Sequence, residues 1–197
     1  MTAPARLVVG ISGASGVILG VRLLEALRRL SVESHLVISR AAEVTLAHET
    51  SLKVADVRAL ATAHYSPADI GAAIASGSFR TLGMIVAPCS IRSMSEIATG
   101  VTSSLLTRAA DVTLKERRPL VLLVRETPLH VGHLRTMTQL AEMGAIIAPP
   151  VPAFYAKPQS LDDLIDHTIG RALDLFGLDT GTVRRWGEPA APEIVET

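Results

Sequence analysis

Five short runs of consecutive apolar residues punctuate the chain: RLVVGI at 6–11, SHLVIS at 34–39, LGMIVAP at 82–88, PLVLLVR at 119–125 and AIIAP at 145–149. They are continuous rather than alternating, so each predicts a strand covered on both faces, as in a parallel sheet between helical layers. Between these runs the apolar spacing changes to the helical period. Positions 17, 20, 21, 24, 27 and 30 form one stripe, with Arg22, Glu25, Arg28 and Arg29 largely elsewhere, which predicts a helix over 17–30. Further helices are predicted near 40–50, 67–76, 91–98, 102–117 and 131–143. A last one starts at Ser160, whose S-x-x-D spacing to Asp163 is a capping signal, and runs to about 176.

Strands alternating with helices, without internal repeat or linker, predict an α/β fold: a doubly wound, flavodoxin- or Rossmann-like parallel sheet with helices on both faces. A single domain over 1–197 is expected, with a core at about 6–178 and a tail at 179–197. Composition narrows the function classes. Lys plus Arg and Asp plus Glu both number 19, so neither nucleic acid nor an anionic membrane is an expected partner. The apolar runs are too short to span a bilayer. The strand pattern beginning within six residues of the start predicts no signal peptide. The one cysteine, Cys89, excludes an intrachain disulfide and suits a cytoplasmic location. With 48% hydrophobic and 19% charged residues, the chain has more apolar surface than a monomer needs, which predicts a homo-oligomer.

In a doubly wound fold, ligands bind beyond the carboxyl ends of the strands. After the first strand comes SGASG, with Gly10, Gly13 and Gly16 spaced G-x-x-G-x-x-G rather than G-x-G-x-x-G. The second strand ends in Ser39-Arg40, where a dinucleotide site would carry an acid for the adenosine ribose. Small hydroxyls at helix starts suit a single phosphate, and Ser15, Ser39, Ser90 and Ser93 could all reach one. A mononucleotide is therefore expected, against the plainer reading that each serine only caps its helix.

The ordered set GASG, PCS, RAADVTLKERRPLVLLVRETPL and PAFYAKPQSLDDLIDHTIGRALDLFGL resembles the UbiX-type flavin prenyltransferases from about Arg6 through RRWGE. The resemblance implies a flavodoxin-type fold, FMN binding and assembly as a dodecamer. It also implies transfer of a dimethylallyl group from dimethylallyl phosphate to reduced FMN, making the prenylated flavin used by UbiD-type decarboxylases. Position by position, Gly13, Ala14, Ser15, Ser39, Ser90, Ile91, Arg92 and Ser93 would cradle FMN, with Arg125 against it. Lys115, Arg125, Tyr155 and Arg171 would hold the donor, with Glu126 orienting the cations. Glu49 would sit near the reactive edge of the flavin, and Ser15, Glu49 and Glu126 are the implied catalytic groups. Two loops depart from the family pattern: Ile91-Arg92-Ser93-Met94 where MKTL is common, and HVGHLRTM where STIHLENM is common.

Taken singly, Lys115 in LKERR reads as an exposed helix end, Arg171 as half of a surface ion pair and Tyr155 as packing. His130 and His133 lie three apart with no further ligand at useful spacing, so no metal site is expected. Cys89 reads as a buried small residue. Two other functions fit the fold. An FMN-dependent cysteine-type decarboxylase would use a histidine, with His48 as candidate, and a PASANT-like loop where this chain has PCSIRS. A non-catalytic FMN carrier would not need Lys115, Tyr155 and Arg171.

Overall fold

The five apolar runs all become strands in the computed structural model, which describes residues 5–187. They are β1 (Arg6–Ile11), β2 (Glu33–Ile38), β4 (Met84–Cys89), β5 (Leu120–Val124) and β6 (Ala145–Ile147). A short edge strand, β3 (Ala63–Tyr65), joins them, and the six run parallel in the order β3-β2-β1-β4-β5-β6. The chain reverses its direction of winding between β1 and β4, so the ligand crevice is expected at their carboxyl ends. Every residue of β4 and β5 is buried, which explains why the runs are continuous.

Among the described residues seven helices cover the sheet: α1 (Ile18–Arg29), α2 (Arg40–Glu49), α3 (Val54–Leu60), α4 (Ile91–Ala98), α5 (Leu105–Lys115), α6 (Val131–Glu142) and α7 (Leu161–Asp174). Side chains alternate across the strands and divide the core in two. Leu7, Val9, Leu36, Val121 and Leu123 pack with α1 and α7 on one face. Val8, Val37, Met84, Leu120 and Leu122 pack with α4 and α5 on the other. The sequence-predicted tail from 179 is described only to 187, where Arg185 is tied to Asp174; its remainder lies outside the described residues.

Two segments differ from the sequence expectation. The helix expected at 67–76 is a series of turns with one 3-10 turn at Ala73–Ala75. Gly71 weakens it, and Ala72 and Ile74 are its only well-buried side chains, so no helical stripe has a face to cover. The α3–β3 unit escaped notice because a three-residue strand is too short to show a period. Helix α6 buries only Leu140 and leaves Val131 and Leu134 about half exposed, at 59% and 49%.

Helix α1 approaches the sheet most closely at Gly20, where a Cβ would lie 2.5 Å from the Ala87 carbonyl oxygen and 2.6 Å from Ile11 Cδ1. Backbone cannot yield as a flexible side chain would. Gly20→Ala is therefore expected to destabilise the chain by about 1–3 kcal/mol through overpacking. A lower urea midpoint with an unaltered slope would register it; an unshifted midpoint would contradict the close approach.

Candidate functional site

At the carboxyl ends of β1 and β4 the two loops are joined by a buried hydroxyl. Ser12 is 0% exposed; its Oγ donates to the Pro88 carbonyl at 2.9 Å and accepts the Ser90 amide at 2.7 Å. Ser90 in turn caps α4, its Oγ accepting the Ser93 amide at 3.3 Å. Sequence reasoning passed over Ser12; the signal was a hydroxyl directly after a strand, where the core has no other use for one. At the next position, a Cβ on Gly13 would lie 2.3 Å from Ala41 Cβ, so glycine is what lets the start of α2 reach this loop.

Three helix starts then converge on one cavity of about 440 Å³. Ser39 caps α2, Ser90 caps α4 and Ser104 caps α5, and all three line it. Helix N-termini carry partial positive charge and free amides, and Arg40 and Arg92 add full charges to the wall. The chemistry suits a phosphate. Glu96 also lines the cavity, but it accepts from Ser103 at 2.6 Å and pairs with Arg92 at 2.8 Å. Of the sequence-predicted cradle, Gly13, Ser39, Ser90, Arg92 and Ser93 meet here. Ala14 and Ile91 do not line it; the Ala14 amide is spent on the Ser12 carbonyl, and Ile91 is packed against the core. Arg40, Ser104 and Thr107 were missed, although the S-x-x-T spacing of the last two is a legible cap.

Ser15 faces a second, more apolar chamber of about 320 Å³, with Ile18, Leu19, Arg125, Pro150, Leu161 and Leu164. The loop thus serves both spaces, Gly13 the first and Ser15 the second. The turn expected to receive an outside anion already holds one. Glu49 accepts the Gly16 amide at 2.8 Å and the Val17 amide at 3.1 Å, at the start of α1. Burial alone would raise its pKa; the Ser15 hydroxyl, these two amides and the charge of Arg125 outweigh that and hold it below the usual carboxylate range. Ser15, Glu49 and Arg125 therefore form one group. Glu126 instead caps its own loop, accepting the Thr127 amide at 2.9 Å.

A third cavity, about 300 Å³, shares Thr168 with the second and carries Tyr155 and Arg171 on its wall. Tyr155 Oη lies 3.4 Å from His167 Nε2, and Arg171 pairs with Asp174 at 2.5 Å. Lys115 is elsewhere. It closes α5, which starts at the phosphate-suited cavity and runs 11 residues, roughly 16 Å, toward the amino ends of the strands. There it pairs with Glu116 at 2.5 Å. Within one chain, Lys115 and Tyr155 do not meet.

Burial pushes the Cys89 thiol up to about 12, so it stays protonated and unreactive at neutral pH. His48 is exposed in the last turn of α2. Among the described residues no three His, Cys, Asp or Glu side chains gather as a metal would require.

A family model described as Flavoprotein matches residues 1–173. The flavin prenyltransferase UbiX of Escherichia coli strain K12 is 62% identical over 174 residues, 88% of this chain and 92% of that protein. The crystal structure of AnUbiX in complex with FMN and dimethylallyl pyrophosphate has a TM-score of 0.93 and 51% identity, covering 95% of this chain and 100% of that one. A dodecameric FMN-dependent UbiX-like decarboxylase from Escherichia coli O157:H7 has a TM-score of 0.90 and 49% identity, covering 93% and 100%. The FMN-dependent cysteine decarboxylase TvaF, 16% identical with a TM-score of 0.62 over 75% of this chain and 91% of that one, shares the fold alone.

Two outcomes follow from the geometry. Ser12→Ala leaves a buried amide and carbonyl without their shared hydroxyl and is expected to cost about 1–3 kcal/mol, read by urea denaturation. Glu49 has a folded pKa below its unfolded value, so its contribution is present above the ordinary carboxylate range and lost as pH falls through the lower folded value. Glu49→Gln should therefore destabilise at neutral pH, by less than about 1 kcal/mol because the group is exposed and screened. The gap from wild type should close in acid; a gap independent of pH would contradict the assignment.

Proposed function

This chain belongs to the flavoprotein family and, within it, to the UbiX flavin prenyltransferases, and from that premise we propose that it joins the dimethylallyl group of dimethylallyl phosphate to N5 and C6 of reduced FMN. The observation that carries the proposal is the adjacency of two unlike spaces. One is ringed by three serine-capped helix starts and suits the FMN phosphate; the other is apolar, with Ser15 and Arg125 at its border, and suits a prenyl chain.

In this scheme Gly13, Ser39, Ser90, Arg92 and Ser93 hold FMN, joined by Arg40 and Ser104. Ala14 and Ile91 shape the loops around it. Arg125 lies against the flavin and, with Lys115, Tyr155 and Arg171, takes the donor phosphate. These groups stabilise charge that develops on the phosphate as its bond to carbon breaks and the bond to N5 forms. Closure at C6 then releases a proton. Glu49, held ionised beside Ser15, is its acceptor, with Glu126 and the departed phosphate as further bases. The cations fill the place a divalent metal takes with diphosphate donors.

Because Lys115 stands at the far edge of its own sheet, it reaches the donor only from a neighbouring copy. The apolar side chains exposed on α6 and around the third cavity, Val131, Leu134, Val151 and Phe154, give such a neighbour a surface. The assembly proposed is a homo-oligomer, a dodecamer, of one flavin-binding domain per chain. It acts in the cytoplasm and supplies a UbiD-type decarboxylase. No described helix is long and apolar enough to cross a membrane.

The test is to incubate the protein anaerobically with reduced FMN and either dimethylallyl phosphate or dimethylallyl pyrophosphate, then weigh the flavin. A gain of one C5 unit with the monophosphate is expected; an unaltered mass with both donors sinks the proposal. Lys115→Ala and Arg171→Ala should retain FMN yet require roughly ten- to a hundredfold more donor, the effect of losing one charge-assisted contact. Co-assembled, the two variants should recover activity, since some sites then receive both intact residues from different chains. No recovery would place Lys115 outside the site.

A further inference from the structure

Tyr155 and Arg171 share a cavity wall, but neither is fixed by its own element. Tyr155 lies in a single 3-10 turn, Phe154–Ala156, and Arg171 carries a side chain 53% exposed near the end of α7. An Arg–Asp pair three residues apart on an exposed helix face would by itself hold little. Here the carboxylate has a second partner. Arg185, in the segment after α7, forks onto Asp174 with Nη1 at 2.9 Å from Oδ2 and Nη2 at 3.0 Å from Oδ1. The same Oδ2 accepts Arg171 Nη1. Asp174 is only 15% exposed, and chiefly the bond from Arg185, then that from Arg171, holds its pKa below the usual range.

Arg185 also lies 3.5 Å from Asp179 Oδ1, so Asp174 is not its only carboxylate, and Asp174 takes only Nη1 of Arg171. The other N–H groups of that fork stay available to an incoming anion. The neighbouring residues reach Tyr155. His167, 7% exposed, places Nε2 at 3.3 Å from the Arg184 carbonyl and 3.4 Å from the Tyr155 hydroxyl. A carbonyl only accepts, so this contact puts the proton on Nε2, with the phenol oxygen at the edge of its reach. Trp186 meets the Tyr155 ring edge to face, with centroids 5.5 Å apart, while remaining 82% exposed. Three consecutive residues beyond the last helix thus touch the supports of both side chains.

Resting on the assignment of Tyr155 and Arg171 to the donor, we propose that Asp174, locked by Arg185, is a positioning residue that aims Arg171 at the donor phosphate, and that Arg184 and Trp186 set Tyr155 in the same way. The segment acts on the geometry of the donor site and leaves the FMN cavity, on the far side of the first loop, untouched. Its loss should therefore appear in donor affinity rather than in flavin binding. A lysine cannot reproduce the two-pronged contact, because its ammonium is a point charge.

The experiment uses the full chain loaded with FMN and carrying Arg185→Ala or Arg185→Lys. Donor KM is expected to rise about tenfold in both, the loss of one charged contact, with kcat falling less than KM rises and FMN affinity unmoved. Trp186 is the only tryptophan, so its emission reports the segment directly. In the wild type, titration with inorganic phosphate should alter that emission; in the Arg185 variants the response should need more phosphate or vanish. Should the alanine variant not fold, the lysine variant carries the same comparison. An unaltered KM together with an unaltered phosphate response would overturn the proposal. So would parallel losses of donor affinity, FMN affinity and thermal stability, which mark a merely structural role. A wild type whose flavin gains no mass would instead overturn the donor assignment, and the Trp186 titration would still decide whether phosphate and the segment are coupled.

Discussion

A hydroxyl in a place closed to water has to satisfy itself from protein atoms, and at the carboxyl ends of β1 and β4 the Ser12 hydroxyl does so by bridging the two strands' loops. The functional end of the molecule hangs on that bridge. It sets the height of Ser90, hence the start of α4, and it leaves the following Gly13 facing Ala41 at the start of α2. With α5 arriving at the same point through Ser104, three sets of free amides converge on one volume. No single serine makes that site. The sheet's reversal of winding, which separates the helices at this edge, makes room for all of them.

The helix starts are not equivalent, and the difference divides the chemistry. The start of α1 is occupied by the chain's own carboxylate, Glu49, which accepts two of its amides. The starts of α2, α4 and α5 are capped by neutral serine side chains, leaving charge to offer an external phosphate. One anion is thus built in and another is left to the ligand. An ionised carboxylate lies next to the apolar chamber, while the helix starts that border the polar one are open to an anion.

The groups proposed to hold the donor divide differently. Arg125 borders the second cavity and Tyr155 and Arg171 line the third, while Lys115 closes α5 on the other face of the sheet. Under the proposed donor assignment, one chain alone would lack part of that site. The apolar side chains left about half exposed on α6 would give a second copy a surface. Composition had pointed to the same expectation, with 48% hydrophobic against 19% charged residues.

What the sequence determined by itself was the alternation of elements and their order along the chain, because burial on both faces of a parallel strand leaves an unbroken apolar run. The ends of those runs showed which loops would carry chemistry, and so Ser39, Ser90 and Ser93 could be named before any coordinates. The α3–β3 unit could not, since three residues carry no period; nor could the turns at 67–76, where alanines imitate a helix but only Ala72 and Ile74 find a core to pack on. Only the tertiary structure could decide what each group faces. Glu49 lies more than thirty residues from the amides it caps, Ser12 more than seventy from its partners, and Lys115 and Arg171 belong to helices that cover opposite faces of one sheet. Spacing along a chain encodes contacts within a helix or a turn. Contacts between loops depend on how the strands are ordered in the sheet, and that order is set by the packing of two cores at once.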